Sequence, residues 1–442
     1  MAWGLIVFML AIVGVTTMIW GVIGVIRWLT EHGERRRQRL GSTLLRWSNS
    51  DIAVLMAAHN EESVLEASLR RALTQFSPEQ IHVVSDGSTD RTADIARRLG
   101  VQVLELNPNR GKAGALSAGI AHFHLTDRYE FVLLLDADTH LADDYAITAL
   151  RLAEDNDVAA VAGRARTLHP EAAGSLLGRL LVWYRERVYT VVQYLHKYGQ
   201  AAPWINAVYI VPGFASLYRS RALRQIDIDA PGLVIEDYNM TFEVHARSLG
   251  RVAFHPHAAI AYTQDPDTLV DYTRQLSRWT LGFWQTLLRH RPRPSLFWAT
   301  VLVHALELVL SSLIMLLWLP MFVVSVTCAA AVWLGLDGNG WGASVVDQFP
   351  PLLLLAGLWL PDLLVTLVSS VLGRRWGMLL FAPFYPFMRI YDASRCLRSL
   401  LRALSRRRSS GSWISPDRRP EVAGPSVTPR SRRDPTAVRS EV

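Results

Sequence analysis

The sequence predicts an α/β protein, a doubly wound and mostly parallel sheet domain set between membrane-type helices at the N-terminal and C-terminal ends. Three observations predict it. Between residues 50 and 290, short apolar runs alternate with helical patterns, as βα units do. Outside that stretch lie long apolar runs, in a 442-residue chain that is 50% hydrophobic. Within it, Asp136 and Asp138 come directly after Phe131-Val132-Leu133-Leu134-Leu135, a run that reads as a buried parallel strand.

The N-terminal element comes first. Residues 3 to 28 carry no charge before Arg27, and that is long enough to span a bilayer. A cleaved signal peptide fits poorly, because no basic residue precedes the run and no small-residue cleavage site comes after it. Arg27, Arg35, Arg36, Arg37 and Arg39 lie at and beyond its end. This charge bias puts the N-terminus outside and residue 30 onward in the cytoplasm. Residues 1–30 are therefore expected to form one transmembrane helix.

The middle, residues 50–290, is expected to form one cytoplasmic domain. Strands are predicted at Ile52–Ala57, Ile81–Ser85, Val101–Leu106, Phe131–Leu135 and Val158–Ala162. Helices are predicted between them at Glu62–Thr74, Arg91–Leu99, Lys112–Phe123 and Asp144–Ala153. A further helical stretch covers Tyr238–Ser248.

The C-terminal membrane region covers residues 295–396. Spans are predicted at Val309–Gly335 and Pro350–Leu372, with Pro320 a kink point in the first. Ser295–Leu308 is expected to lie along the membrane surface. Trp376–Ile390, with Pro383 and Pro386, is compatible with spanning, re-entering or lying in the interface. The tail, residues 405–442, is rich in Arg, Ser and Pro without apolar periodicity and reads as disordered.

The net charge of +7 does not indicate nucleic acid, because the basic residues cluster beside membrane segments, where they set topology and meet anionic lipids. Cys328 and Cys396 are the two cysteines. Neither a disulfide nor a zinc site is expected.

In doubly wound sheets ligands bind beyond the carboxyl ends of the strands, so the loop after each strand carries the functional information. Ala58-His59-Asn60-Glu61-Glu62 comes after the first, with Asn60 suited to cap a helix. Asp86-Gly87-Ser88-Thr89-Asp90 comes after the second. Asp90 or Thr89 can cap the next helix, which leaves Asp86 at the strand end to accept hydrogen bonds from a base or ribose. Asn107-Pro108-Asn109-Arg110-Gly111-Lys112-Ala113-Gly114 comes after the third, a plausible anion site in which Lys112 stands near a helix N-terminus. It lacks the spacing of a Walker loop. No G-x-G-x-x-G stands after the first strand, which weighs against a dinucleotide dehydrogenase. Asp136 and Asp138 end the fourth strand and suit a hard divalent cation. Farther on, Glu236-Asp237 opens a helical stretch. Gln275-Leu276-Ser277-Arg278-Trp279 lies in an aromatic-rich helix just before the membrane region.

Taken in order from Val54 to Trp284, these residues resemble the family-2 inverting glycosyltransferases of GT-A fold. The ordered set is His59-Asn60-Glu61, Asp86 to Asp90, Asn109 to Gly114, Asp136-Ala137-Asp138, Glu236-Asp237 and Gln275-x-x-Arg278-Trp279. The last motif, together with the membrane segments, resembles the membrane-embedded polysaccharide synthase branch, and within it the poly-β-1,6-N-acetylglucosamine synthases. Trp413-Ile414-Ser415-Pro416-Asp417-Arg418 is similar to the end of those synthases. Two residues depart from the pattern: Ala57 stands where Pro usually precedes the His-Asn-Glu motif, and Ile235 where Thr often precedes Glu-Asp.

The resemblance implies a role for each residue. Asp237 would be the general base, with Glu236 beside it orienting the acceptor. Ala58, Glu61 and Asp86 would hold uridine, and Lys112 would contact the nucleotide or its phosphates. Asp138 would bind Mg²⁺ or Mn²⁺, with Asp136 contacting metal or ribose. Arg278 would stabilise the departing diphosphate. Trp279 would be a stacking floor for the acceptor sugar, supported by Gln275. The implied partners are a UDP-sugar donor, a glycan or lipid acceptor, the plasma membrane and room for a small accessory membrane subunit. Trp183, Tyr184, Trp204 and Trp284 are candidates for lining a product route, against a competing reading as interfacial anchors or core. Two alternatives stay open. One is a non-processive transferase acting on a lipid or glycolipid. The other is a transporter or scaffold that uses His304 and Glu307.

Overall fold

A computed structural model describes residues 14–38, 45–168 and 173–405. Side chains of residues 32–38 are outside the description, as is the motif at Trp413–Arg418. The first helix, α1, runs Val15–Gln38.

Alternating strands and helices then build a seven-stranded sheet. In chain order these are β1 (Ile52–Ala58), α2 (Leu65–Ala72), β2 (Ile81–Asp86), α3 (Thr92–Arg98), β3 (Gln102–Leu106), α4 (Gly111–His122), β4 (Phe131–Leu135), β5 (His140–Leu141), α5 (Tyr145–Leu152), β6 (Val158–Val161) and β7 (Arg164–Thr167). Next come α6 (Leu176–Thr190), a π-helical turn Val191–Lys197, β8 (Ala215–Arg219), α7 (Asp237–Ala246), β9 (Arg251–Ala253), β10 (Ile260–Thr263) and α8 (Leu269–Arg289). The strand order is β3-β2-β1-β4-β8-β6-β9. β1, β2, β3 and β4 are parallel, and β8 is inserted antiparallel between β4 and β6. A small sheet, β5-β10-β7, stands beside it. The expected strands and helices fall within a few residues of their predicted bounds.

The reason is burial on both faces. β1 is buried at all seven positions and reads as an unbroken apolar run, as a central parallel strand must. Val54, Met56 and Ala58 face one core with Leu65 and Leu69 of α2 and Tyr145 of α5. Ala53, Leu55 and Ala57 face the other, with Leu116 of α4 and Met240 of α7. This alternation arises from the two-residue period of a strand. β8 escapes sequence reading because Ser216 and Arg219 interrupt its apolar pattern. Arg219 is buried and bonds the carbonyls of Val158 at 3.0 Å and Ala153 at 2.6 Å, and Glu130 at 2.5 Å.

Asn60 does not cap α2. Its side chain accepts instead from the backbone N–H of Thr89 at 2.8 Å, tying the loops after β1 and β2 together. Neither Asp90 nor Thr89 stands at the N-cap of α3, which is Arg91, but Asp90 accepts from the Thr92 amide at 3.0 Å just before it.

After α8 come α9 (Leu296–Trp333), α10 (Trp341–Gln348), α11 (Pro351–Gly373) and α12 (Tyr385–Leu404). Among the described residues, Leu296–Trp333 and Trp341–Gly373 are long and apolar enough to cross a membrane. The surface segment expected at Ser295–Leu308 is instead the first part of α9. Ser295 caps it, accepting from the Trp298 amide at 3.3 Å, and no Gly or Pro interrupts the helix before Pro320. Trp376–Ile390 is broken into short turns before α12 begins, so it forms no single spanning helix. Of the N-terminal span expected over residues 1–30, residues 1–13 lie outside the described residues.

Candidate functional site

The site is built at the carboxyl ends of β1, β2 and β4. β2 delivers Asp86, which is buried; its Oδ1 accepts from the Arg110 amide at 2.8 Å. Its Oδ2 is buried and meets no hydrogen-bond donor among the described residues. Burial pushes the pKa of this carboxyl up, although the Arg110 and Gly111 amides pull the other way. The Asp86 carbonyl takes the Asn109 amide at 2.9 Å and lies 2.7 Å from His59 Nδ1. Ala58 ends β1 beside Ser85, and Glu61 is buried, its backbone N–H bonded to Thr92 Oγ1 at 2.9 Å.

The centre of the site is Lys112, in the first turn of α4. Its ammonium lies 2.6 Å from Asp136 Oδ1 and 3.0 Å from Glu236 Oε1, and donates to the Gly213 carbonyl at 3.4 Å. One cation thus joins the carboxylates of two motifs that are far apart in sequence. Burial works against charge on Lys112, but Asp136 and Glu236 outweigh it and hold the ammonium protonated. Burial and the Asp138 charge push the Asp136 carboxyl up. Burial also opposes ionisation of Glu236, yet Lys112, with a smaller part from Arg278, keeps it below the usual carboxylate range.

Asp237 is different. It is buried at the start of α7, and burial together with the adjacent Glu236 charge pushes its carboxyl up to about 7. The Tyr238 amide donates to its Oδ1 at 2.7 Å. A carboxyl poised near neutrality is suited to taking a proton.

Asp136 and Asp138 are close enough for the charge of one to raise the other. No group of three or more His, Cys, Asp or Glu gathers as a metal site among the described residues. Two carboxylates still fit a hard divalent cation of the kind that completes its shell with phosphate oxygens and water.

Helix α8 brings the last motif. Gln275, Arg278 and Trp279 share a face, as positions three and four apart do. Arg278 is near enough to lower Glu236. Gln275 accepts from Arg185 of α6 at 2.7 Å, and the same guanidinium lies 4.5 Å over the Trp279 ring. Gly282 of α8 packs so closely on Ile235 that an added Cβ would stand 1.8 Å from its Cγ2. The apolar residue before Glu236-Asp237 therefore meets the helix of the last motif.

The structure brings Lys112, Asp136, Glu236 and Asp237 together and places Asp86 at the neighbouring strand end. Sequence reasoning missed Arg185, Gly213 and Lys197. Lys197 is buried at the end of the π-helical turn, and burial lowers its amine to about 7, against the pull of Asp237. No motif marks these three, because they act through contacts that only the fold creates. Of the aromatic candidates for a product route, Trp183, Tyr184 and Trp284 are buried in packed clusters and Trp204 is exposed.

Residues 53–227 match the sequence profile described as glycosyl transferase family 2. Among curated proteins the chain is similar to the poly-beta-1,6-N-acetyl-D-glucosamine synthase of Staphylococcus epidermidis, 27% identical over 266 residues, covering 58% of this chain and 59% of that protein. The synthase of Staphylococcus aureus strain COL is 27% identical over 249 residues, covering 54% and 56%. The chain thus spans less than two thirds of the length of these relatives. Among solved structures it is similar to the mannosyltransferase PcManGT from Pyrobaculum calidifontis in complex with GDP-Man and Mn²⁺, at 16% identity, 87% coverage of this chain, 99% of that one and a TM-score of 0.48. It is also similar to TarS of S. aureus in complex with UDP-GlcNAc, at 15%, 80%, 91% and 0.36.

Proposed function

We propose that this protein is a membrane-bound, inverting glycosyltransferase that moves N-acetylglucosamine from a UDP-sugar onto a growing β-linked polysaccharide. The observation that carries the reading is the Lys112 centre. It holds Asp136 and Glu236 around one ammonium, with Asp237 next in the chain. A donor-side carboxylate, Asp136, and an acceptor-side base, Asp237, within one site suit a single displacement at a sugar.

In this reading Asp237 takes the proton of the acceptor hydroxyl as that oxygen attacks the anomeric carbon from the face opposite the diphosphate. The α-linked donor then gives a β-linked product. Glu236, held ionised by Lys112, orients the acceptor. Asp86 takes a base N–H on its open oxygen, with Ala58 and Glu61 forming the rest of the uridine pocket. Asp138 and Asp136 would hold Mg²⁺ or Mn²⁺, which when bound neutralises the leaving diphosphate. Arg278 adds charge-assisted hydrogen bonds to that diphosphate, and Trp279 gives an aromatic face for the acceptor ring.

Residues 50–290 form the cytoplasmic catalytic domain in this proposal. Residues 295–396 form the membrane region beside it, with the N-terminal helix as a further anchor, and the basic tail of residues 405–442 remains cytoplasmic. The two candidate spans support a plasma-membrane location, with nucleotide sugar supplied from the cytosol. The name of the staphylococcal relatives supports N-acetylglucosamine and a polymeric product.

The transporter or scaffold reading draws no support from its two residues. Glu307 Oε2 accepts from the Thr16 amide at 3.1 Å in the first turn of α1, and His304 stacks on Tyr209 with ring centroids 4.6 Å apart. Both have structural occupations.

The test is incubation of membranes containing the protein with a panel of UDP-sugars and Mg²⁺ or Mn²⁺, with subsequent sizing of the product and digestion with linkage-specific hydrolases. Polymer made from UDP-N-acetylglucosamine and cleaved by a β-1,6-specific enzyme is the expected result. A single sugar on a lipid would replace the processive reading with the non-processive one. No transfer from any donor would overturn both.

A further inference from the structure

We propose that Arg185 is a positioning residue for the acceptor platform, a role that rests on the function proposed above. Arg185 lies in α6, directly after Trp183 and Tyr184 and outside the ordered set of motifs from His59 to Trp279. Its side chain is 3% exposed, which is rare for a cation without a dedicated environment. Its guanidinium donates to Gln275 Oε1 at 2.7 Å and lies 4.5 Å over the Trp279 ring and 4.8 Å over the Tyr272 ring. Asp265 stands 3.9 Å away as counter-charge. Asp265 is fixed in turn by the hydroxyls of Tyr189 and Thr167, each at 2.7 Å.

The consequence is geometric. One face of Trp279 is covered by the guanidinium, so a sugar can stack only on the remaining face. The same cation fixes the Gln275 amide by taking its oxygen, which turns the amide N–H₂ to other partners. A planar guanidinium can stack and donate at once, and an ammonium cannot. Arg185 therefore sets both the side on which the platform is open and the polarity of the amide next to it. It touches neither donor nor acceptor.

Transfer kinetics of the full-length protein in nanodiscs test this. The probes are UDP-N-acetylglucosamine and a β-1,6-linked N-acetylglucosamine oligosaccharide. Arg185→Gln is expected to raise the acceptor KM about tenfold, in keeping with the loss of a charge-assisted hydrogen bond and a cation–π contact. The donor KM is the internal reference and is expected to hold. Arg185→Lys is expected to recover part of the loss. Donor and acceptor KM rising together, or an unchanged acceptor KM, overturns the inference. If Arg185→Gln does not fold, Arg185→Lys carries the test, and an acceptor KM equal to the wild-type value in that variant overturns it. Wild-type protein that transfers no sugar from any donor removes the underlying reading and this inference with it. An active wild type with indifferent Arg185 variants removes the inference alone.

Discussion

At the scale of single residues the proposed chemistry rests on Asp237 and Lys112. Asp237 must be ionised to accept a proton, and burial with the Glu236 charge pushes it up to about 7. The base is therefore lost as pH falls through that value. The rate of transfer is predicted to drop on the acid side of neutrality and to level off above it, in a pH profile of kcat/KM. Lys112 pulls the Asp237 carboxyl down, so Lys112→Gln removes that pull. The acid limb is predicted to move to higher pH, with a lower plateau because Asp136 and Glu236 lose their shared cation. An unmoved limb would separate Asp237 from the Lys112 centre. Gly213 also belongs here. A methyl at Gly213 would stand 3.0 Å from Glu236 Oε1 and 3.2 Å from Lys112 Nζ.

Among elements, α8 and the strands show what the sequence can and cannot say. The runs Ile52–Ala58 and Phe131–Leu135 were legible because both faces are buried, so apolar residues are continuous. The residues after those strands were legible for the same reason: a strand with known ends tells where its loop begins. β8 was not legible, since the fold satisfies Arg219 with carbonyls from distant segments. The seating of α8 was not legible either. Gly282 reads as a helix-weakening residue, and its use appears only when Ile235 is packed against it. Gly282→Ala is predicted to push α8 off the Glu236-Asp237 turn, at a cost of about 1–3 kcal/mol for overpacking. Thermal unfolding and transfer rate should both fall, and an unchanged rate would mean that the last motif and the base are not coupled through this contact.

At the scale of the whole molecule, ion pairs and hydrogen bonds tie the sheet domain to the apolar helices. Arg187 of α6 lies 2.6 Å from Asp362 of α11 and donates to Thr366 at 2.9 Å. Arg389 of α12 reaches the same carboxylate at 3.2 Å. At the other end, Arg27 of α1 bonds the Tyr198 carbonyl at 2.8 Å and Glu31 at 2.7 Å, and Tyr198 returns to Glu31 at 2.9 Å. These links make α6, the helix that also carries Arg185, a bridge from the long apolar helix α11 to the Gln275–Trp279 motif. Asp362→Ala leaves Arg187 buried without its carboxylate, and breaking such a pair costs about 3–5 kcal/mol. The prediction is a large loss of thermal stability in detergent, and Asp362→Asn should lose less. Apolar patterning made the two long apolar helices legible, but it could not show that an acid inside one is paired with a base from the sheet domain.

The central claim is that Asp237 is the proton acceptor of a sugar transfer whose donor is held elsewhere in the same site. The most direct measurement compares Asp237→Asn with wild type, tracking sugar transfer from UDP-N-acetylglucosamine and, by calorimetry on the same preparations, UDP binding. The substitution is close in size and removes the base, so transfer should disappear while UDP binds within about threefold of wild type. Transfer at the wild-type rate in Asp237→Asn would contradict the account.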